Sequence, residues 1–241
     1  MIRAVFFDLD DTLIEFPGGF VGLLGKVYAE AVIGGAPPDG YERFQRRFWN
    51  DSCGLWASMH AGAISGDQVR QRRLEGALAA VGMADSRLAQ RLLALWDELN
   101  VEMPVLKPYA LELLAALGGR VCVGLITDGF KTLQRRKLDR FGLWPYFRAV
   151  HISEECGVCK PFRGVFALAL KAAGVQAAEA VMVGDNADCD IRGALGVGMG
   201  AIQMVTLGST ADTPEGALVA TSLLEVAELL GCPLAVPLPE S

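Results

Sequence analysis

Positive charge is in short supply in this sequence. Its 22 lysines and arginines are outnumbered by 28 aspartates and glutamates, so the formal net charge is −6. A protein whose main partner is a nucleic-acid backbone or an anionic membrane surface generally presents an excess of basic side chains. We therefore expect neither a nucleic-acid polymer nor a membrane as the partner. A small phosphorylated metabolite stays compatible with an acidic chain, because a single site can be positive locally.

The pattern favours neither a targeting segment nor a membrane span. Asp8, Asp10 and Asp11 stand where the apolar core of a secretory signal would lie. The longest uncharged stretch, residues 193–211, contains five glycines and is typical of a helix end, a turn and a buried strand. We expect a cytoplasmic protein, a monomer or homodimer, whose six cysteines are reduced thiols and form no disulfide framework.

The order of apolar patterns indicates an α/β fold with an insertion. Residues 16–100 show helical periodicity with almost no strand pattern, whereas from residue 105 apolar strands alternate with helices. Such alternation is typical of a parallel sheet covered on both faces. We predict a Rossmann-like doubly wound parallel sheet core formed by residues 1–14 and 103–241, and an α-helical cap domain at residues 15–102. The predicted strands are 3–7, 121–126, 149–152, 180–183 and 201–205, and the predicted insertion helices are about 20–33, 41–61, 66–81 and 85–100.

Chemically useful residues follow the predicted strands. Asp8 and Asp10 follow the first strand, Thr127 the second and Asp185 the fourth, while Lys160 lies in the loop after the third. Each alone could be a helix cap or a solvated side chain. Because parallel strands end at the same edge of a sheet, we expect all of them to lie together.

This set of residues suits phosphoryl transfer to a carboxylate. An aspartate that attacks a phosphate dianion faces a repulsion of about 8 kcal/mol at ~4 Å and an effective dielectric of ~20. A hard divalent cation and a lysine ammonium can cancel it, while a threonine hydroxyl and the backbone N–H groups after it can hold phosphate oxygens. Asp10, two residues beyond Asp8, points to the same side and can protonate the leaving oxygen and later deprotonate water.

Four segments resemble the motifs of the haloacid dehalogenase-like (HAD) hydrolase superfamily. They are Asp8-Leu-Asp-Asp-Thr12, Ile126-Thr-Asp-Gly129, Cys159-Lys-Pro161 and the stretch 184–194 that begins Gly-Asp-Asn. The insertion between the first two motifs resembles the helical cap of that superfamily's first cap class (C1). Shorter segments at 41–44, 55–56, 62–65, 73–74, 132–134 and 137–138 are similar to 5′-nucleotidases and N-acylneuraminate-9-phosphatases.

The resemblance implies a role for each matching residue. Asp8 would be the nucleophile and Asp10 the general acid/base. Mg²⁺ would be held by the carboxylates of Asp8 and Asp185 and by the backbone carbonyl of Asp10. The phosphoryl group would be bound by Asp8, Thr127, Asp128, Gly129 and Lys160, with Thr12, Asn186 and Asp190 in support. Asp128 stands where many relatives carry asparagine, and we expect its carboxylate to point away and leave only its N–H for phosphate.

Three other functions stay open beside that of a Mg²⁺-dependent phosphatase with an aspartyl-phosphate intermediate. A phosphomutase keeps all four motifs, because they report the phosphoryl step and not the acceptor. A 2-haloacid dehalogenase uses the same nucleophile without metal and without an acid/base at the second aspartate position, so the presence of Asp10 disfavours it. A non-catalytic phosphate-binding regulator would be expected to lack a charged group of the site, and none is missing.

Several further residues have an ordinary structural interpretation that we favour. Cys156 and Cys159 with His151 could form part of a zinc site, but there is no second Cys-x-x-Cys pair. Lys26, the insertion's one lysine, could form a Schiff base but is expected on a helix surface. Arginines of the insertion, together with Trp56 or His60, are candidates for selecting the leaving group, although helical arginines are mostly solvated.

Overall fold

The computed structural model describes residues 1–206, 208 and 212–234, without the side chains of residues 52 and 53. The chain divides into two compact units, one formed by residues 1–15 and the described residues from 106 onward, and the other by residues 16–105. The helices are α1 Gly19–Ile33, α2 Tyr41–His60, α3 Gly66–Ala79, α4 Ser86–Glu102, α5 Ala110–Gly118, α6 Lys131–Arg140, α7 Ser153–Cys156, α8 Arg163–Ala173, α9 Gly193–Leu195 and α10 Leu223–Leu229. The strands are β1 Ala4–Phe7, β2 Ile14–Glu15, β3 Val105–Leu106, β4 Cys122–Thr127, β5 Ala149–Ile152, β6 Ala180–Gly184, β7 Gly200–Met204 and β8 Leu218–Ala220.

The larger unit is built on a parallel sheet. Over the described residues six strands join it in the order β5-β4-β1-β6-β7-β8. Strand β1 is buried along its whole length, and its side chains alternate between the two faces as strand geometry requires. Val5 and Phe7 pack with helices α5 and α10, while Ala4 and Phe6 pack with helix α8. The predicted Rossmann-like α/β fold is confirmed.

The register of the central strands aligns their carboxyl ends. Phe7 lies opposite Leu125 of β4 and Val183 of β6, so the residues after these three strands emerge side by side. In an open parallel sheet this edge is where ligands bind.

The smaller unit consists of helices α1 to α4 around its own apolar core. Phe44, Phe48 and Trp96 are among its buried side chains. Helix α3 begins with a capping box: Ser65 Oγ accepts a hydrogen bond from Gln68 N–H, and the Gln68 side chain accepts one from Ser65 N–H.

Some elements differ from the sequence-based expectation. Strand β8 was not predicted, because it is three residues long and Leu218 is 52% exposed, so it carries little apolar signal. The segment Ala187–Arg192 forms a π-helical turn before α9 instead of an ordinary helix start. Of the uncharged stretch 193–211, residues 207 and 209–211 lie outside the described residues. No helix among the described residues is long and apolar enough to cross a membrane.

Candidate active site

Lysine 160 forms the charged centre of the strand-end cluster. Its Nζ lies 2.9 Å from Asp8 Oδ1 and 2.6 Å from Asp190 Oδ1, and all three side chains are buried. Burial alone would lower the pKa of Lys160, but the carboxylates of Asp190 and Asp8 outweigh it and raise that pKa well above its ordinary value. Lys160 is therefore an ammonium at neutral pH, fixed beside the carboxylate at the end of β1.

Asp190 reaches Lys160 because the backbone after β6 is shaped for it. Asn186 N–H donates to Asp190 Oδ2 at 3.0 Å, and Asn186 Oδ1 accepts from the N–H groups of Asp188 and Cys189 at 3.1 and 2.9 Å. A Cβ atom on Gly184 would lie 2.3 Å from the Asp190 carboxylate carbon, so only glycine leaves room for it. Both predicted supporting residues thus lie at the cluster: Asp190 pairs with Lys160, and Asn186 holds Asp190.

Carboxylates outnumber cations in this cluster. Ligand atoms of Asp8, Asp185 and Asp190 all lie within 4.8 Å of one another, with Lys160 as the ammonium between two of them. Burial, followed by the fields of Asp190 and Asp11, raises the pKa of Asp185 to about 7. Burial also raises the pKa of Asp8 well above its ordinary value, although Lys160 opposes the rise. The protein alone therefore does not neutralise the negative charge gathered at these strand ends.

A hard divalent cation fits this donor set. Carboxylate oxygens are the ligands that Mg²⁺ prefers in proteins, and an added cation would favour the ionised forms of Asp8 and Asp185. The Asp185 carboxylate is oriented by Thr12, whose buried hydroxyl donates to Asp185 Oδ1 at 3.3 Å. Thr12 was predicted as a supporting residue, and the structure gives it this contact.

The carboxylate of Asp10 stands apart from the three clustered ones. Lys137 Nζ lies 2.7 and 3.0 Å from its two oxygens, and Gln134 Nε2 donates to Asp10 Oδ2 at 3.0 Å. The Lys137 side chain is only 1% exposed. Asp10 is thereby held in one orientation by helix α6, and its carboxylate is not one of the three that could share a cation. The sequence analysis expects Asp10 to bind the metal through its backbone carbonyl, and this stays a prediction.

Gln134 and Lys137 were missed as site residues by sequence reasoning. The signal that could have found them is their spacing: three residues apart on a helix, they share one face of α6. Both are buried together with Leu133 and Leu138, which is unusual for glutamine and lysine unless a partner is present. The residues of the first strand end and this helix therefore form one polar network.

The loop after β4 is fixed by hydrogen bonds around the predicted phosphate-binding residues. Thr127 Oγ1 accepts from Gln134 Nε2 at 2.7 Å, and Gly129 N–H donates to Ser153 Oγ at 3.1 Å. Asp128 Oδ1 accepts from the backbone N–H of Lys160 at 3.1 Å. The Asp128 carboxylate thus ties two motif loops together. Ser153, another residue that the sequence did not single out, positions the Gly129 amide.

The remaining candidates do not form a second metal site among the described residues. Cys156 Sγ lies 3.9 Å from His151 Nδ1. Within the described part of the chain, however, the one group of three close metal-ligating side chains is the aspartate cluster. Cys156 and Cys159 are free thiols. In the helical unit Lys26 is exposed, and the rings of Trp56 and His60 stack with centroids 5.9 Å apart.

Comparison with known sequences agrees with this geometry. A family model described as haloacid dehalogenase-like hydrolase matches residues 2–198. A pyrimidine 5′-nucleotidase of Escherichia coli is 33% identical over 196 residues, which cover 81% of this chain and 82% of that protein. The N-acylneuraminate-9-phosphatase of Mus musculus is 28% identical over 246 residues, covering 95% of this chain and 94% of that protein. The expected similarity to these two kinds of phosphatase is confirmed.

Solved structures of the same architecture are also known. The magnesium-bound HAD-hydrolase YfnB of Bacillus subtilis superposes with a TM-score of 0.73 at 21% identity, covering 95% of this chain and 99% of that chain. A 2-haloacid dehalogenase of Pseudomonas syringae gives a TM-score of 0.71 at 28% identity, covering 96% and 99%. The fold is therefore shared by proteins with different reactions, and the choice between reactions depends on the residues of the site.

Proposed function

The chain belongs to the haloacid dehalogenase-like hydrolase family, and on that premise we propose that it hydrolyses a small phosphate monoester with the help of Mg²⁺ through an aspartyl-phosphate intermediate. The observation that carries the proposal is the Asp10 carboxylate, held by Lys137 at 2.7 Å and Gln134 at 3.0 Å, two residues after Asp8, which pairs with Lys160. An acid/base group needs a fixed orientation to act on both half-reactions.

In the first half-reaction Asp8 acts as the nucleophile. One of its oxygens attacks phosphorus, the bond from phosphorus to the leaving oxygen breaks, and a protonated Asp10 gives its proton to that oxygen. Lys160 places a positive charge beside Asp8 and so lowers the repulsion between the carboxylate and the phosphate. The hydroxyl of Thr127 and the N–H group of Asp128 are proposed to bind phosphoryl oxygens, where charge develops in the transition state. The Gly129 N–H is already donated to Ser153 Oγ.

The second half-reaction releases phosphate. The Asp10 carboxylate takes a proton from a water molecule that attacks phosphorus, and the bond between phosphorus and the Asp8 oxygen breaks. Asp8 returns as a carboxylate, and Asp10 is protonated again for the next turnover. Lys137 and Gln134 hold Asp10 in place through both steps.

Asp8 and Asp185 would hold Mg²⁺ through their carboxylates and Asp10 through its backbone carbonyl. A bound divalent cation supplies positive charge that offsets the phosphate and keeps nearby carboxylates ionised. Thr12 would keep Asp185 oriented toward the cation. Asp190 is bound by Lys160 and Asn186, so its proposed role is to support the lysine.

The substrate is proposed to be a nucleoside monophosphate or a sugar phosphate. This class is supported by the names of the relatives, a pyrimidine 5′-nucleotidase and an N-acylneuraminate-9-phosphatase. We also infer a cytoplasmic location and a monomer or homodimer. The acidic composition supports the further inference that neither a membrane nor a nucleic acid is the partner.

Two other functions are weighed against this one. A 2-haloacid dehalogenase has no use for an acid/base at Asp10, and the buried Lys137 and Gln134 that orient this carboxylate favour the phosphatase. A phosphomutase would use the same residues but pass the phosphoryl group to a second hydroxyl instead of water.

Turnover of p-nitrophenyl phosphate with and without Mg²⁺ tests the proposal. We expect Mg²⁺-dependent release of p-nitrophenol that is abolished by chelation, and no release of halide from 2-chloropropionate. Folded protein that releases halide but no p-nitrophenol would overturn the phosphatase assignment. A panel of nucleotides and sugar phosphates, assayed for free phosphate, then ranks the natural substrate class.

A further inference from the structure

Two cysteines directly precede the two partners of a buried ion pair. Lys160 Nζ lies 2.6 Å from Asp190 Oδ1, and both side chains are buried. Cys159 is the residue before Lys160, and Cys189 is the residue before Asp190. Both cysteines are free thiols and only half-buried, so a small solute has access to them. The ion pair beside Asp8 therefore has a thiol on each of the two segments that form it.

The loop that carries the lysine and the turn that carries the aspartate also touch through their backbones. A Cβ atom on Gly193 would lie 3.1 Å from Pro161 Cα, so the two chains are in direct contact there. The segments thus meet at the ion pair and again further along in the same direction. The two cysteines stand one residue before the ion pair in each segment, and this direction brings them side by side.

The electrostatic surroundings of the two thiols support the same placement. Burial raises the pKa of both, to about 11 for Cys189, and the Asp128 carboxylate raises both further. Cys159 itself adds to the rise at Cys189. Because such effects weaken with distance, the two thiols and the Asp128 carboxylate occupy one small region. Asp128 also accepts a hydrogen bond from the backbone N–H of Lys160 at 3.1 Å, which anchors this region to the lysine loop.

We propose that Cys159 and Cys189 form an oxidisable dithiol, which hydrogen peroxide converts into a disulfide between the lysine loop and the aspartate turn. One sulfur, as a thiolate, attacks a peroxide oxygen; the O–O bond breaks, and a sulfenic acid and water form. The second sulfur attacks the sulfenic sulfur, the S–O bond breaks, and a second water leaves as the disulfide forms. The two thiols lose two electrons and two protons in total, and the peroxide is reduced to two waters.

The disulfide would act on the site through the neighbouring residues. Its geometry fixes the two Cβ atoms about 4 Å apart with a defined torsion, so closing it shifts the backbone next to Lys160 and Asp190. The Lys160 ammonium then leaves its position 2.9 Å from Asp8 Oδ1. The inference goes beyond the proposed function, because the dithiol forms whatever reaction the site performs. Its effect on turnover alone rests on that function.

Peptide mapping of the oxidised protein tests the bridge itself. Reduced wild type is treated with hydrogen peroxide at pH 8, where the thiolate fraction is larger than at neutral pH, and the remaining thiols are blocked with N-ethylmaleimide. We expect an unreduced digest to contain one peptide pair joined through Cys159 and Cys189, which separates on reduction. A disulfide between Cys159 and Cys156, three residues earlier, would overturn the inference. So would oxidation of the two thiols to sulfinic acids without a cross-link.

Turnover of p-nitrophenyl phosphate by the same samples tests the effect on Lys160. In the oxidised wild type we expect kcat to fall at least about tenfold, because the ammonium is misplaced, and to recover with dithiothreitol. Cys159→Ser and Cys189→Ser, each compared with its own untreated rate, should keep their activity after the same treatment. Cys122→Ser removes a half-buried thiol of β4 and should respond as the wild type does.

A loss of activity in peroxide-treated Cys189→Ser as large as that of the wild type would contradict the proposal. A cross-linked wild type with unchanged kcat would refute the effect on Lys160. If either serine variant fails to fold, the corresponding alanine variant replaces it in the same comparison. If the reduced wild type does not hydrolyse p-nitrophenyl phosphate, the phosphatase proposal fails by itself, and the peptide map still decides whether the dithiol exists.

Discussion

The orientation of Asp10 depends on two buried side chains that are remote in sequence. Lys137 and Gln134 reach its carboxylate from helix α6, and Gln134 also donates to Thr127. One helix face therefore sets the positions of the proposed acid/base and of a proposed phosphate-binding hydroxyl. This arrangement makes Lys137 and Gln134 positioning residues, because neither is proposed to contact the reacting atoms.

Replacing Lys137 by methionine tests that positioning. We expect kcat for p-nitrophenyl phosphate to fall by about tenfold to a thousandfold, because Asp10 loses its charge-assisted partner, while KM changes little. Steady-state kinetics measure the split. The exposed Lys131 at the start of the same helix supplies the control, and Lys131→Met should leave both constants unchanged. A higher KM with an unchanged kcat would place Lys137 in substrate binding instead.

Asp185 makes the free energy of unfolding of the metal-free protein depend on pH. Its pKa is raised from an ordinary 3.8 to about 7 in the folded protein, so the fold binds this proton more tightly than the unfolded chain does. With this sign, Asp185 lowers the free energy of unfolding as the pH rises through the window from about 4 to 7, by up to about 4 kcal/mol. Ionisation of Asp185 without a counter-ion is what destabilises the metal-free protein.

In the presence of a chelator at pH 8, Asp185→Asn should therefore unfold at a higher urea concentration than the wild type. At pH 5 the difference between the two urea midpoints should be smaller. Added Mg²⁺ should stabilise the wild type and not the variant. Asp188→Asn is the matched control, since that carboxylate lies three residues after Asp185, is exposed and pairs with Arg192. Equal midpoints for wild type and Asp185→Asn at both pH values would show that Asp185 carries no such charge penalty.

At the scale of elements, the segment after β6 is shaped to deliver Asp190. The π-helical turn Ala187–Arg192 begins with the Asn186 cap and folds the Asp190 carboxylate back under Gly184. A π turn inside a helix start is uncommon and is found mainly at functional sites. The turn thus connects the end of a central strand to the lysine that neighbours Asp8.

Gly184→Ala tests this connection. The new methyl group would lie 2.3 Å from the Asp190 carboxylate carbon and force that side chain away from Lys160. We expect kcat to fall at least tenfold and the free energy of unfolding to drop by about 1–3 kcal/mol, as in overpacked cores. Gly119→Ala, at a helix end where nothing lies within 4 Å of the added carbon, should be nearly neutral. Wild-type kcat in Gly184→Ala would show that Asp190 is dispensable.

At the scale of the whole molecule, the sequence predicts the sheet and the residues at its strand ends well. β1 and β6 are buried apolar runs, each followed by an aspartate, so that both position and orientation follow from strand geometry. Gln134, Lys137 and Ser153 could not be predicted in the same way, because their roles depend on which helix faces pack toward the strand ends. Strand β8 was missed because half-exposed edge residues give no distinct apolar pattern.

The central claim is that phosphoryl transfer passes through Asp8. The measurement that tests it most directly is the intact mass of enzyme quenched in acid during turnover of p-nitrophenyl phosphate, followed by peptide mapping. The account predicts a transient adduct with the mass of one phosphoryl group on Asp8, absent from Asp8→Asn, whose turnover should fall by several powers of ten. Wild-type turnover in folded Asp8→Asn, or an adduct on another residue, would contradict it.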